Sequence, residues 1–135
     1  MIEFTPAGTM PSRQGPAEYF TGNVRLDVIS ESRPPSQVFA ARVTFDPGAR
    51  TAWHTHPVGQ ILHVVSGCGL LALRCEAPRV IRPGDCIWIE PGVEHWHGAG
   101  SETGMCHIAI QDVKDGSGAD WLEHVTDQDY LTPPT

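Results

Sequence analysis

Apolar residues in this chain come in short runs, many of them alternating with polar ones, and glycine or proline closes almost every run. Val24–Ile29, Val38–Phe45, Ala52–His56, Gln60–Ser66, Leu70–Cys75, Arg79–Arg82, Cys86–Ile89, His95–Gly98 and Met105–Gln111 read as strands. Alternation places successive side chains on opposite faces of a pleated ribbon, so one face can be buried and the other left in water. Asp46-Pro47-Gly48, Ser66–Gly69, Arg82–Asp85 and Glu90–Gly92 carry turn chemistry between these runs. Frequent short strands without long helical patterns predict an all-β antiparallel sandwich or barrel. One short helical segment is expected over Trp121–Val125, with Ala119-Asp120 as its cap, and the tail Thr132–Thr135 is expected to be loose.

The parity within the strands then selects candidate chemistry. Side chains two residues apart on a strand share a face. His54, His56 and Gln60 have the same parity, so an extended run would bring them to one point, and His95 can join from a second segment. Neutral nitrogens with one neutral oxygen suit a divalent first-row transition metal better than calcium or magnesium, which take several oxygens. On the last long strand His107 shares parity with Met105, Ala109 and Gln111, and His97 shares the face of His95. Ala41 and Val43 are expected in the cavity wall, His63 outside, and His124 in a structural role. Trp53, Trp88 and Trp96 are expected as packing residues, and Asp46, Asp85 and Glu90 as turn residues.

Composition narrows the setting. The 135 residues suit one domain, 1–135, and 40% hydrophobic content is enough for one core. A formal charge of −7 argues against a nucleic-acid or anionic-membrane partner, because no basic stripe exists to neutralise phosphates. Apolar runs such as Ile108–Ile110 are far too short to span a bilayer. Met1–Pro6 has neither a basic nor an apolar signal-like region, so a cytoplasmic location is expected. Cys68, Cys75, Cys86 and Cys106 show no C-x-x-C pairing and are expected to be buried, inert thiols.

Gly48, His54, His56, Gln60 and Gly67, followed by Gly84-Asp85, Gly92 and His95, resemble in their spacing the two motifs of the cupin superfamily. Gln60 stands where that pattern usually has Glu, Glu90 (with Pro91 next) where it has Pro, and Ala99 where it has Asn. The resemblance implies a single-domain cupin jelly-roll β-barrel with its core at about 38–112, an N-terminal arm and strand over 1–37, and a C-terminal segment over 113–135.

Within the superfamily, Gly15–Gly22, Val43–Pro57, Gly92–Gly98, His107–Gln111 and Trp121–Asp127 are similar to the bacterial cupin-type (R)-selective hydroxynitrile lyases. That likeness implies a metal, manganese first and Fe2+, Ni2+, Co2+ or Zn2+ otherwise, held by His54, His56, Gln60 and His95. It further implies that Thr51, His97, His107 and Gln111 line the reaction pocket. An imidazole there can carry the proton both ways, so His107, on the face of Gln111, is expected as the base, and Thr51 is expected to bond the substrate oxygen. The implied activity is a metal-dependent lyase cleaving or forming cyanohydrins by Lewis-acid and histidine acid/base chemistry. The alternatives are another small-molecule cupin enzyme (dioxygenase, isomerase or decarboxylase) and a non-catalytic metal- or ligand-binding cupin. Gln in place of Glu keeps the ion's full positive charge, which leans toward Lewis-acid rather than redox chemistry. The expected partner is a small-molecule substrate. A homodimer or homotetramer is expected as well, with Val24–Ile29 a candidate for exchange or edge pairing.

Overall fold

The computed structural model describes residues 1–135. Its strands, in chain order, are β1 (Arg13–Gln14), β2 (Phe20–Thr21), β3 (Val24–Ser30), β4 (Val38–Phe45), β5 (Arg50–Thr51), β6 (His54–Thr55), β7 (Gln60–Gly67), β8 (Gly69–Leu73), β9 (Arg79–Ile81), β10 (Cys86–Ile89), β11 (His95–Ala99), β12 (Met105–Asp112) and β13 (Asp120–Trp121), followed by a helix α1 (Asp127–Tyr130). They form two antiparallel sheets. One has the order β1-β3-β4-β12-β7-β10, the other β13-β6-β11-β5-β2, with β8 on the far side of β11 and β9 beyond it.

The inward faces follow from alternation. Phe45, Leu62, Val64, Met105 and Ala109 from one sheet meet Phe20, Ile81 and Ala99 from the other, and Ala49 from the turn before β5, in one apolar cluster. Burying such side chains stabilises by about 1.5–3 kcal/mol each, which is what holds the two layers together. Trp53, Ala72, Trp96, Val125 and Tyr130 make a second cluster behind the second sheet. Two glycines permit close geometry. Gly98 lets β11 lie against Ala49 and Arg50, where an added Cβ would come within 2.4 Å of the Ala49 carbonyl oxygen. Gly59, at φ +84°, turns the chain out of one sheet into the other just before Gln60.

Several expectations are corrected. Trp121 is not helical: Asp120 and Trp121 pair with Thr55 and His54 as strand β13, because the indole gains more from stacking on His54 and Tyr19 than from an isolated helical turn. The helix begins instead after Thr126, whose hydroxyl accepts from the Asp129 amide. The run Ala52–His56 is not one strand; only His54 and Thr55 are extended on the ladder.

Trp88 is 59% exposed rather than packed. Of the thiols only Cys106 is buried, Cys75 and Cys86 being exposed on turn or edge positions. The two-residue strand β1 pairs with Arg25 and Leu26 at the edge of the first sheet. The chain end is tied down by the Thr135 amide donating to the Pro78 carbonyl at 2.9 Å. No helix is long and apolar enough to cross a membrane.

Candidate metal centre

The sheets place donors on two opposed walls. His54 on β6 and His95 and His97 on β11 come from the second sheet; Gln60 on β7 and His107 and Gln111 on β12 come from the first. His56 sits in the turn between them, so convergence of His54, His56 and Gln60 comes from a crossing between sheets rather than from one extended run. His54 and His95 are direct cross-strand partners with rings 4.2 Å apart. His54, His95 and His97 each offer a ligand atom, and these lie within 4.8 Å of one another, a grouping able to hold a metal ion. His56 lies beside it, its ring 4.9 Å from His54 and 5.5 Å from His95.

Hydrogen bonds fix which atom each side chain turns inward. Nδ1 of His54 contacts the Ala52 carbonyl at 2.9 Å, Nδ1 of His95 the Val93 carbonyl at 2.9 Å, and Nδ1 of His56 the Gly118 carbonyl at 2.6 Å. A carbonyl can only accept, so each Nδ1 carries the hydrogen and donates, and each Nε2 keeps its lone pair. The Nε2 atoms of His56 and His95 are buried without a partner. The Gln60 amide nitrogen donates to Gln111 Oε1 at 3.2 Å, leaving Gln60 Oε1 likewise buried and unpartnered. Buried polar atoms without partners cost free energy, and a cation is the partner common to inward lone pairs. The residues present therefore fit a divalent ion.

His97 and His107 behave differently. His107 Nε2 lies 3.0 Å from His97 Nδ1, so one hydrogen is shared between the two rings instead of being fixed by a carbonyl. His97 Nε2 and His107 Nδ1 have no partner. Thr51 is buried and its hydroxyl accepts from the His97 amide at 3.2 Å. Burial holds the imidazoles neutral: it drives His54 and His97 well below the usual 6.5, helped by neighbouring imidazoles, and lowers His56. His95 and His107 are brought to about 4 by the same loss of hydration. Neutral imidazole is the form that binds metals or accepts a proton.

All of these groups except His95 line a cavity of about 300 Å3 whose outer walls are Tyr19, Phe20, Leu26, Phe39 and Trp121, with Ala41 and Val43 as expected on the side. No carboxylate lines it. Sequence reasoning missed Tyr19, Phe20 and Trp121 as wall residues, although Trp121 stacks on both Tyr19 (4.6 Å) and His54 (4.7 Å). His63 is outside, as expected, beside Cys86. A larger surface groove of about 760 Å3 near Arg79, Arg82 and Trp88 contains none of the interior imidazoles.

Comparison with known proteins agrees with this architecture. The family model described as "Cupin domain" matches residues 41–110. A protein named (R)-mandelonitrile lyase from Granulicella tundricola is 50% identical over 129 residues, covering 96% of this chain and 98% of the relative. A cupin-like protein from Thermotoga maritima superposes with a TM-score of 0.82 at 35% identity, over 96% of this chain and 95% of the other. A second Thermotoga maritima structure, described as a predicted oxalate decarboxylase, shares the fold at a TM-score of 0.69 and 16% identity, over 80% and 96% of the two chains.

Proposed function

The chain belongs to the cupin family, and from that premise we propose that it is a metal-dependent lyase cleaving and forming cyanohydrins with (R) selectivity. The observation that carries this reading is the backbone-fixed tautomer of His54, His56 and His95, which aims neutral nitrogens inward together with Gln60 Oε1. We assign the metal to His54, His56, Gln60 and His95, and the metal to Mn2+. His97, although within reach of His54 and His95, is set apart because its Nδ1 pairs with His107 and not with a backbone carbonyl, an arrangement that suits proton transfer. When bound, the ion supplies Lewis acidity toward the substrate's oxygen or nitrile and stabilises negative charge there.

The remaining roles fall to the chain's own side chains. The substrate hydroxyl gives its proton to His97 Nε2 while the His97 Nδ1 hydrogen passes to His107 Nε2, so His107 ends as the protonated base and His97 is neutral again. The bond to the nitrile carbon breaks, its electron pair leaves with cyanide, and the proton returns along the same pair to give aldehyde and hydrogen cyanide. The Thr51 hydroxyl, accepting from the His97 amide, keeps its own hydrogen for the substrate oxygen. Gln111 borders the pocket behind Gln60. Tyr19, Phe20 and Trp121 form an apolar end that accommodates an aryl group.

The proposal extends to one cytoplasmic domain with its core at 38–112, assembled as a homodimer or homotetramer. The exposed apolar row Trp88 and Ile61 on neighbouring strands supports self-association, since exposed apolar patches mark contact surfaces. The test is synthesis: protein loaded with Mn2+ and given benzaldehyde and cyanide should yield (R)-mandelonitrile in excess by chiral chromatography. Racemic product at the rate without protein rejects the assignment.

A further inference from the structure

The family match ends at residue 110, yet the run Gln111–Trp121 touches three of the four assigned donors. Gln111 Oε1 receives the Gln60 amide hydrogen at 3.2 Å. The Gly118 carbonyl receives the His56 Nδ1 hydrogen at 2.6 Å. The Trp121 ring lies 4.7 Å from that of His54, at 29°, as its cross-strand partner. These contacts are mutually packed, since a Cβ added at Gly118 would sit 3.5 Å from Gln111 Nε2.

We propose that this run is a clamp that orients the metal donors, and that Gln111 is a positioning residue deciding which end of the Gln60 carboxamide faces the ion. The inference rests on the metal-site reading above. A carboxamide has two ends of nearly equal shape, one a lone-pair donor to metals and the other an NH2 group that repels them. Shape cannot choose between them; only a hydrogen-bond partner behind the group can. Gln60 is 4% exposed, so water does not make the choice. A Glu at that position would present oxygen either way. Replacing the carboxylate by Gln therefore creates a need for an acceptor behind the ligand, and Gln111 Oε1 supplies it. Partners that hold a ligand from behind typically change metal affinity by ~10–100-fold.

The experiment measures the Mn2+ dissociation constant of the full chain by competition with a chelator, with no turnover involved. Gln111→Met keeps the length of the side chain and replaces the amide oxygen by a thioether sulfur, a much weaker acceptor. It should weaken Mn2+ binding by ~10–100-fold. In a Gln60→Glu background the same change should cost less than about threefold, because the orientation no longer matters. Gln111→Leu repeats the comparison should the Met variant fold poorly, and thermal midpoints of the metal-free variants report folding. Equal losses in the two backgrounds mean Gln111 only packs, and overturn the proposal, as does unchanged affinity in Gln111→Met. No Mn2+ binding by the unsubstituted chain overturns the metal reading itself, and this one with it.

Discussion

At the scale of single residues, a hydrogen on one nitrogen decides what each imidazole can do. His54, His56 and His95 each lose Nδ1 to a backbone carbonyl, whereas His97 and His107 share a hydrogen between side chains. The two groups should separate on substitution. His95→Ala should remove bound metal and activity together, by elemental analysis and initial rates. His107→Ala should retain the metal and lose ~10²–10⁴-fold in rate, the usual contribution of a positioned proton acceptor. A variant with full activity would remove His107 from the chemistry. Motif spacing made these residues legible in the sequence, and strand parity paired His95 with His97 and His107 with Gln111, but parity did not foresee the sheet crossing that joins Gln60 to His54 and His56. Their division of labour was less legible. Ala52 and Val93 lie two residues before the histidines they hold, but the carbonyl of Gly118 reaches His56 from a distant loop that leaves no mark near residue 56.

At the scale of elements, the strands were legible because alternation and turn residues agree. Val38–Phe45 and Cys86–Ile89 appear with the expected limits. The run from Ala52 to His56 was not, because parity does not say where a chain changes sheets. Gly59 marks that place: its φ of +84° and its contact with the Ile89 carbonyl leave no space for a side chain. Gly59→Ala should therefore cost about 1–2 kcal/mol from the left-handed backbone alone, with the crowding added to it. Denaturant midpoints would show this, and an unchanged midpoint would mean the turn relaxes freely. The Trp121 region was misread because local pattern carries no information about stacking partners. Farther along, Arg50, buried beneath α1, donates to the Val125 carbonyl at 2.9 Å and lies 4.4 Å from the Tyr130 ring, while Tyr130 donates to the Ala99 carbonyl. None of these long-range partners leaves a periodic trace.

At the scale of the whole molecule, the interior is built around neutral imidazoles, and this sets its response to acid. His95 and His107 take up a proton only near pH 4 when folded, against an ordinary 6.5. Below about pH 6.5 the unfolded chain binds protons that the folded chain refuses, so folded stability falls as pH drops from 6.5 toward 4, and is fully present above that range. The thermal midpoint of metal-free protein should be flat from pH 8 to 7 and decline steadily below about 6.5; a flat profile down to pH 4.5 would contradict neutral burial. The fold class and the family were legible in the sequence because the motif glycines and histidines serve both turn geometry and the site. The apolar mouth of the cavity was not, since Tyr19, Phe20 and Trp121 come from the two ends of the chain.

The donors stand on facing layers, His54 and His95 on one and Gln60 on the other. A cation held by all of them would act as a rivet through the sandwich. Such an ion would add to the stability of a sandwich that already holds without it, by an amount that grows with the ion's free concentration.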